Sequence, residues 1–457
     1  MSQSNQSDIT HLGAENGVTG SCHLLQTKGL NILVDCGLAQ GSDTDLPIAQ
    51  WPVPPAGIDY LFLTHAHIDH IGRVPELIEA GFTGEIICSH PTKALLLPML
   101  ADAMKFAGMP RQRADGIAKT IDDRSWGFEF NQPFDLKKGI AFRLGRAGHI
   151  LGSAFIHFAV QDGGSMLFSG DLGASQTPIL RDPDPPPTAD RVVLESTYGD
   201  RLHAGRDQRI RQLGQVLSHA LADGGKVFIP AFALGRTQEL IYEMDRLFSD
   251  PGWREAFPDL QGKGRPPVFV DSPLGLEITR IYSDLFPFWD QEARELKAQG
   301  DHPINFKGLF AVKDHRDHLK LCAMAGPAVI LAGSGMCSGG RIVNHLLQGI
   351  ENPANDILFV GYQAAGTPGR AIQQYGAKPD GYVDLDGQRK SIRAVVHTLS
   401  GYSAHADQQG LVDWLAAMPQ RPGSVKLVHG ETAARRALAQ VLAQQGYAVE
   451  KGNRTED

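Results

Sequence analysis

Short apolar runs alternate with stretches of helical periodicity along most of the chain. The apolar run 60–63 predicts a short buried strand, and the apolar residues Ile71, Val74 and Leu77 follow it at helical spacing. Further strands are predicted at 31–37 and 85–89, and a helix at 93–107. Strands and helices that alternate in this way are typical of the α/β class.

The same alternation continues through a long internal stretch before the chain returns to two more strands. Within the stretch, strands are predicted at 226–229, 268–271, 329–331 and 357–360, and a helix at 234–248. The stretch 206–390 is domain-sized and too long for a loop. Strands at 392–396 and 425–428 and a helix at 433–445 come after it. We therefore expect three segments, 1–205, 206–390 and 391–457, of which the second is a separate α/β unit.

Potential metal ligands gather directly after the first of these strands. His65, His67, Asp69 and His70 lie within six residues. His65 and His67 are two apart in an extended segment, so both rings can point the same way. Neutral imidazoles and a carboxylate suit zinc, and a catalytic zinc needs only three protein ligands and a water. A polar surface loop with chance histidines is the alternative, and it explains so dense a pattern less well.

Further acids and histidines stand at predicted strand ends or in glycine-rich turns. They are Asp35, His149, Asp171, Glu195, His405 and His429. Taken singly, each is readily explained as a turn residue. Asp35 also fits a group that orients a metal-bound histidine. Together with the first cluster, His149 and Asp171 supply the partners needed for two metal ions, and Asp171 could bridge them.

The order of these residues resembles two sets of family motifs. The four motifs of the metallo-β-lactamase fold are matched by Asp35, 65–70, His149 and Asp171. The A, B and C motifs of its β-CASP branch are matched by Glu195, His405 and His429. The resemblance covers nearly the whole chain, with Tyr402 standing where phenylalanine is usual. It implies an α/β fold, the metallo-β-lactamase αββα sandwich, with an inserted α/β β-CASP domain.

The resemblance also implies a role for each residue. One zinc ion is held by His65, His67 and His149, the other by Asp69, His70 and His429, and Asp171 bridges the two. His405 is the candidate general acid, oriented and kept cationic by Glu195, because a nearby carboxylate raises the pKa of an imidazole. Asp69 is counted among the catalytic groups with these two, and Asp35 orients a ligand.

Three glycine-rich turns of the internal stretch also match family sequence, at 230–239, 333–336 and 366–370. Such turns expose backbone N–H groups that can cradle a phosphate, and arginine adds forked charged donors. The expected RNA- or phosphate-binding residues are Arg236, Ser334, Gly335, Met336, Arg341 and Arg370. The alternative is a set of ordinary turns with solvated arginines.

The stretch 314–318 contains two histidines and two aspartates, and so looks like another ligand cluster. No strand is predicted before it, and it matches no family motif. We interpret it as a polar helix start and expect no metal there.

Composition changes this picture little. The net charge of −8 argues mildly against a nucleic-acid partner, but bound cations can invert the local field of a site. Five scattered cysteines without a CxxC pair favour a reduced, cytoplasmic compartment. The chain contains no apolar run of membrane-spanning length, and its polar start does not resemble a secretory signal.

The ligand set predicts a centre with two Zn²⁺ ions, and the family resemblance implies a zinc-dependent ribonuclease that acts on single-stranded RNA in processing or decay. Endonuclease activity is expected first, with 5′-exonuclease activity as an addition. His429 favours RNA, because DNA-repair members of the β-CASP branch usually have valine at this motif. The alternatives are a DNA nuclease of the same family and a non-catalytic RNA-binding scaffold. A small-molecule hydrolase would leave the insert and His429 unexplained, and a homodimer stays open because relatives often dimerise.

Overall fold

A computed structural model of the 457-residue chain describes residues 7–203 and 205–450. They form two compact units. The first unit takes 1–175, 180–202 and 405–457, of which 1–6 and 451–457 lie outside the described residues, and the second unit takes 176–179 and 203–404. Among the described residues, no helix combines the length and apolar character needed to cross a bilayer.

The first unit begins with a six-stranded sheet whose strands follow one another in chain order. They are β1 (Asp8–Gly13), β2 (Cys22–Thr27), β3 (Leu30–Val34), β4 (Tyr60–Phe62), β5 (Glu85–Ser89) and β6 (Ser125–Phe128). The helices between them are α1 (Ile68–Ile71), α2 (Val74–Glu79), α3 (His90–Phe106) and α4 (Arg111–Arg124). β3, β4, β5 and β6 run parallel, so their carboxyl ends share one edge of the sheet.

A second sheet of the first unit follows in the chain. Its first strands are β7 (Pro133–Asp135), β8 (Ile140–Arg146), β9 (Ala154–Val160), β10 (Gly164–Phe168) and β11 (Arg191–Glu195). β7 to β10 pair antiparallel, whereas β10 and β11 are parallel. The loops after β10 and β11 therefore leave the sheet at the same edge.

The second unit is a parallel sheet with helices between its strands. In chain order its elements are α5 (Arg206–Asp223), β12 (Lys226–Pro230), α6 (Arg236–Ser249), β13 (Val268–Asp271), α7 (Pro273–Asp284), α8 (Gln291–Ala298), β14 (Leu309–Ala311), α9 (His315–Ala323), β15 (Ala328–Ala332), α10 (Arg341–Gly349), β16 (Asp356–Phe359), α11 (Pro368–Tyr375), β17 (Tyr382–Leu385), β18 (Gln388–Ser391) and β19 (Val395–Thr398). The sheet order is β14-β13-β15-β12-β16-β19, and β17 and β18 form a separate hairpin. The predicted inserted α/β domain is thus present.

The last segment completes the first unit. It contains α12 (Gln408–Ala416), β20 (Ser424–Val428) and α13 (Thr432–Gln444). β20 pairs parallel with β11, which places Val428 opposite Glu195 in the register. The second sheet therefore has the order β20-β11-β10-β9-β8-β7. This pairing brings the residue after β20, His429, to the end of β11.

The apolar faces of the two sheets of the first unit pack on each other. The ring of Phe62 lies 5.0 Å from that of Phe142 and 4.9 Å from that of Phe158, measured between centroids. On the outside, Leu415 of α12 and Leu438 of α13 belong to the cluster that buries Leu194, and α3 and α4 lie against β5 and β6. The result is the expected αββα sandwich, in which each sheet buries one face against the other and one face under helices.

One predicted boundary lies elsewhere in the structure. We expected the strand at 392–396 to return the chain to the first unit, but the observed strand Val395–Thr398 pairs with β16 of the second unit. The last segment accordingly begins at 405 rather than 391, and 176–179 also belong to the second unit. An apolar run predicts a strand but does not identify its partner.

Candidate metal centre

The carboxyl ends of β3 and β4 place the first candidate ligands. Asp35 follows β3, and both its carboxylate oxygens are bonded to Thr64, which donates through its backbone N–H at 2.8 Å and through its hydroxyl at 2.9 Å. The same carboxylate lies 2.7 Å from Nδ1 of His70. Asp35 thus ties the start and the end of the 64–70 loop together, as expected for a group that orients a ligand.

A close backbone approach holds Asp69 and His70, which lie in the short helix α1. The carbonyl of Asp69 accepts from the N–H of Ser21 at 2.8 Å, and the carbonyl of His70 accepts from Cys36 at 2.8 Å. A Cβ on Gly37 would lie 1.6 Å from the carbonyl oxygen of Asp69. Only glycine allows this contact, because any side chain would force the two segments apart.

The first group of candidate ligands consists of His65, His67, His149 and Asp171. One ligand atom from each lies within 4.8 Å of all the others. Nδ1 of His67 is 3.1 Å from Nε2 of His65 and 3.1 Å from Nε2 of His149. Burial lowers the pKa of His67 to about 4 and that of His65 well below its usual value. Both rings are therefore neutral near pH 7 and offer a lone pair to a cation.

The second group consists of Asp69, His70 and His429, whose ligand atoms also lie within 4.8 Å of one another. Nε2 of His429 is 3.2 Å from Nε2 of His70 and 3.5 Å from Oδ2 of Asp69. His429 has a left-handed backbone with φ 52°. Its N–H donates to the carbonyl of Ala14 at 2.8 Å, which holds this uncommon conformation in place.

Asp171 lies between the two groups. Its Oδ2 is 3.2 Å from Nε2 of His70 and 3.5 Å from Nε2 of His65, and its Oδ1 is 3.6 Å from Nε2 of His429. The side chain is only 2% exposed, and Oδ1 lacks a hydrogen-bond partner within residues 7–203 and 205–450. A buried carboxylate oxygen without a donor, surrounded by imidazoles, is the arrangement that a bound cation satisfies.

Hydroxyl groups fix several imidazoles so that their Nε2 atoms face the centre. Nδ1 of His65 is 3.1 Å from the hydroxyl of Thr64, and Nδ1 of His429 is 3.1 Å from the hydroxyl of Thr197. Metal-bound histidines usually use their second nitrogen in this way. Sequence reasoning missed both threonines. The sequence offered one signal for each: Thr64 stands directly before the ligand His65, and Thr197 stands two residues after Glu195.

Glu195 and His405 form a separate pair beside the centre. Nδ1 of His405 is 3.1 Å from Oε1 of Glu195. Burial acts to lower the pKa of His405, but the carboxylates of Glu195 and Asp171 outweigh it and raise this pKa to about 9. Its Nε2 lies 3.9 Å from Oδ2 of Asp171, so this pair adjoins the candidate ligands.

The residues expected to bind phosphate all lie in the second unit. Arg236 is buried and ion-paired with Glu239, at the start of α6. Arg341 donates to the carboxylate of Asp271 at 2.7 Å and to backbone carbonyls. Ser334, Gly335 and Met336 lie between β15 and α10, and Arg370 is exposed on α11. Of these arginines, Arg370 presents its side chain most openly to a ligand.

The stretch 314–318 starts a helix as expected, with Asp314 accepting from the N–H of Asp317 at 2.8 Å at the start of α9. The expectation that no strand precedes it was wrong, because β14 (Leu309–Ala311) lies directly before it. His318, in the first turn of this helix, is however not exposed to solvent. It is fully buried, and its Nδ1 lies 2.6 Å from Asp271.

Comparison with known protein families gives three matches along the chain. The metallo-beta-lactamase superfamily matches residues 16–230, the Beta-Casp domain matches 237–372, and the Zn-dependent metallo-hydrolase RNA specificity domain matches 389–451. The last match contains both His405 and His429.

Individual relatives align over nearly the whole chain. A ribonuclease of Thermus thermophilus is 36% identical over 96% of this chain and 97% of its own. The transcription termination factors FttA of Methanocaldococcus jannaschii and Methanosarcina mazei are 30% and 31% identical over 93% of this chain and 67% of theirs. A crystal structure of a protein of unknown function from Enterococcus faecalis aligns with a TM-score of 0.55 at 11% identity over 98% of both chains, which is a likeness of fold alone.

Proposed function

The chain belongs to the Beta-Casp family of the metallo-β-lactamase superfamily, and from this we propose that it is a zinc-dependent ribonuclease that hydrolyses phosphodiester bonds of single-stranded RNA. The observation that carries the proposal is the convergence of two ligand groups on Asp171, with Glu195 and His405 alongside. A site of this composition suits hydrolysis at phosphorus, for which two metal ions are a common solution.

The two groups suit two zinc ions. His65, His67 and His149 would hold one ion, and Asp69, His70 and His429 the other, with the carboxylate of Asp171 between the two groups. The chemistry of the donors supports zinc, because they are imidazoles and carboxylates without a cysteine. When bound, the ions would supply a nucleophile derived from water and stabilise charge on the phosphoryl oxygens.

Side chains of the protein would supply the proton for the leaving group and orient the metal ligands. Water adds to phosphorus, the bond from phosphorus to the 3′ oxygen breaks, and that oxygen needs a proton. Nε2 of His405 is the donor in this proposal, because Nδ1 is held by Glu195. The products are then a 5′-phosphate and a 3′-hydroxyl. Asp35 keeps Nε2 of His70 turned to the centre by holding its Nδ1.

Two observations support RNA as the substrate. The RNA specificity domain matches the segment that carries His405 and His429, and a relative aligned over 96% of this chain is a ribonuclease. The exposed Arg370 is a candidate phosphate contact that could offset the net charge of −8. A non-catalytic scaffold is less well supported, because every expected ligand position carries a ligand side chain.

A direct test uses one single-stranded RNA and a DNA of the same base sequence, each labelled at either end. We expect the zinc-loaded protein to cleave RNA faster, to release internal fragments, and to leave 5′-phosphates. Equal or faster cleavage of DNA would overturn the choice of RNA. Tight RNA binding by zinc-loaded protein without cleavage would establish the scaffold instead. Light scattering of the same sample tests whether the protein is a homodimer, which the sequence left open.

A further inference from the structure

The second unit contains another buried group of metal-binding side chains, remote in sequence from the proposed zinc ligands. His318 and Cys322 lie on α9 and His345 lies on α10. One ligand atom from each lies within 4.8 Å of the other two. The three residues are 0%, 7% and 1% exposed, so all three side chains are buried in the same place.

A single carboxylate sets the orientation of both imidazoles. Oδ2 of Asp271 lies 2.6 Å from Nδ1 of His318 and 2.7 Å from Nε2 of His345. A carboxylate only accepts hydrogen bonds, so each of these nitrogens carries a hydrogen. In the neutral rings the other nitrogens, Nε2 of His318 and Nδ1 of His345, then hold lone pairs. This is the carboxylate–histidine arrangement that surrounds protein-bound zinc.

These two nitrogens both lie close to the sulfur of Cys322. Sγ is 3.7 Å from Nε2 of His318 and 3.5 Å from Nδ1 of His345. Tetrahedral zinc, with usual bond lengths to sulfur and nitrogen, separates these two atom types by about 3.6 Å. The sulfur therefore already lies at the distance from each of the two nitrogens that a shared zinc ion requires.

Cys322 would supply the negative charge that a zinc ion needs at this cluster. Arg341 donates to Oδ1 of Asp271 at 2.7 Å, so the buried carboxylate is already neutralised. Burial raises the pKa of Cys322 to about 11, so the side chain is a thiol until a metal displaces its proton. His318 and Cys322 are one helical turn apart and face the same side of α9.

We propose that His318, Cys322 and His345 bind a structural zinc ion that fastens α9 to α10. Nδ2 of Asn344 lies 3.0 Å from Nε2 of His318, and with this amide rotated by 180° its carbonyl oxygen is the nearest candidate for a fourth ligand. This site departs from the expectation that 314–318 binds no metal. That expectation considered only neighbours in sequence, whereas the partners of His318 come from later in the chain.

Cobalt spectroscopy separates this site from the centre in the first unit. The full chain is stripped of metal and reloaded with Co²⁺, and the thiolate-to-cobalt charge-transfer absorption is measured. The proposed catalytic ligands contain no cysteine, so this absorption reports on Cys322 alone. We expect the wild type and the Asp171→Ala variant to show it, and Cys322→Ser to lose it together with one bound metal ion per chain.

The matched control is Cys337→Ser, because Cys337 is a buried cysteine of the same unit outside the cluster. This variant should keep the absorption. Circular dichroism verifies that each variant is folded, and His345→Gln replaces Cys322→Ser if the latter does not fold. A wild type without the absorption, or an absorption that survives in Cys322→Ser, overturns the proposal. So does an absorption that disappears in folded Asp171→Ala, and none of these results depends on RNA cleavage.

Discussion

The carboxylate of Glu195 holds the imidazole of His405 by its Nδ1 atom, at 3.1 Å from one oxygen and 3.2 Å from the other. The carboxylate is fixed in turn, because its oxygens accept from the N–H groups of Leu172 at 2.7 Å and Thr197 at 3.2 Å. Backbone contacts thus determine where Nε2 of His405 points. A proton donor positioned in this way is suited to a fixed leaving group.

Replacing His405 with alanine should abolish cleavage while leaving the metals in place. Loss of a general acid costs on the order of 10²–10⁴-fold in rate. The measurements are single-turnover RNA cleavage and the zinc content of the same preparation. Glu195→Gln is the companion variant, and it should lose less because the amide still contacts the ring. Cleavage by His405→Ala at the wild-type rate would remove this residue from the mechanism.

Replacing Asp171 with alanine should empty the first unit's centre. Its carboxylate lies 3.5 Å from Nε2 of His65 in one ligand group and 3.2 Å from Nε2 of His70 in the other, so its loss removes a ligand from both. We expect zinc per chain, measured by elemental analysis, to fall by two ions relative to the wild type. Asp135→Ala serves as the control, since Asp135 is an exposed residue of β7. Unchanged zinc content in Asp171→Ala would disprove the bridging position.

Replacing Asp35 with asparagine should weaken metal binding without unfolding the protein. The amide oxygen can still accept from Thr64, but it lacks the negative charge that holds Nδ1 of His70. Changes to such supporting groups typically lower metal affinity roughly 10–100-fold. Competition with a chromophoric chelator measures the affinity. An affinity equal to that of the wild type would show that His70 is oriented without Asp35.

Replacing Gly37 with alanine should displace the loop that carries Asp69. The added Cβ would overlap the carbonyl oxygen of Asp69, and overpacking of this kind costs roughly 1–3 kcal/mol. Urea unfolding in the presence of chelator measures the loss without metal, and zinc titration measures the effect on the site. Gly116→Ala in α4 is the control, because its Cβ would meet open space and should stabilise the helix by about 1 kcal/mol. Equal stability of Gly37→Ala and the wild type would contradict the close approach.

The sequence predicted those elements of the fold that are determined by residues adjacent in the chain. The strand before His65, the acid at the end of β11 and the helix after β20 all follow from a few adjacent residues. The partner of β19 did not follow, because pairing with β16 depends on residues far apart in the chain. For the same reason the sequence did not reveal that Arg341, expected to bind phosphate, is paired with Asp271, which lies 70 residues before it.

The first unit's centre draws on the chain from Asp35 to His429, with the whole second unit encoded in between. During translation, the second unit is therefore synthesised before the last imidazole of the centre. A nascent or prematurely released polypeptide that stops before residue 405 has neither the proton donor nor a complete second ligand group. We therefore expect such a fragment to lack nuclease activity, so that the order of synthesis would keep unfinished copies inactive.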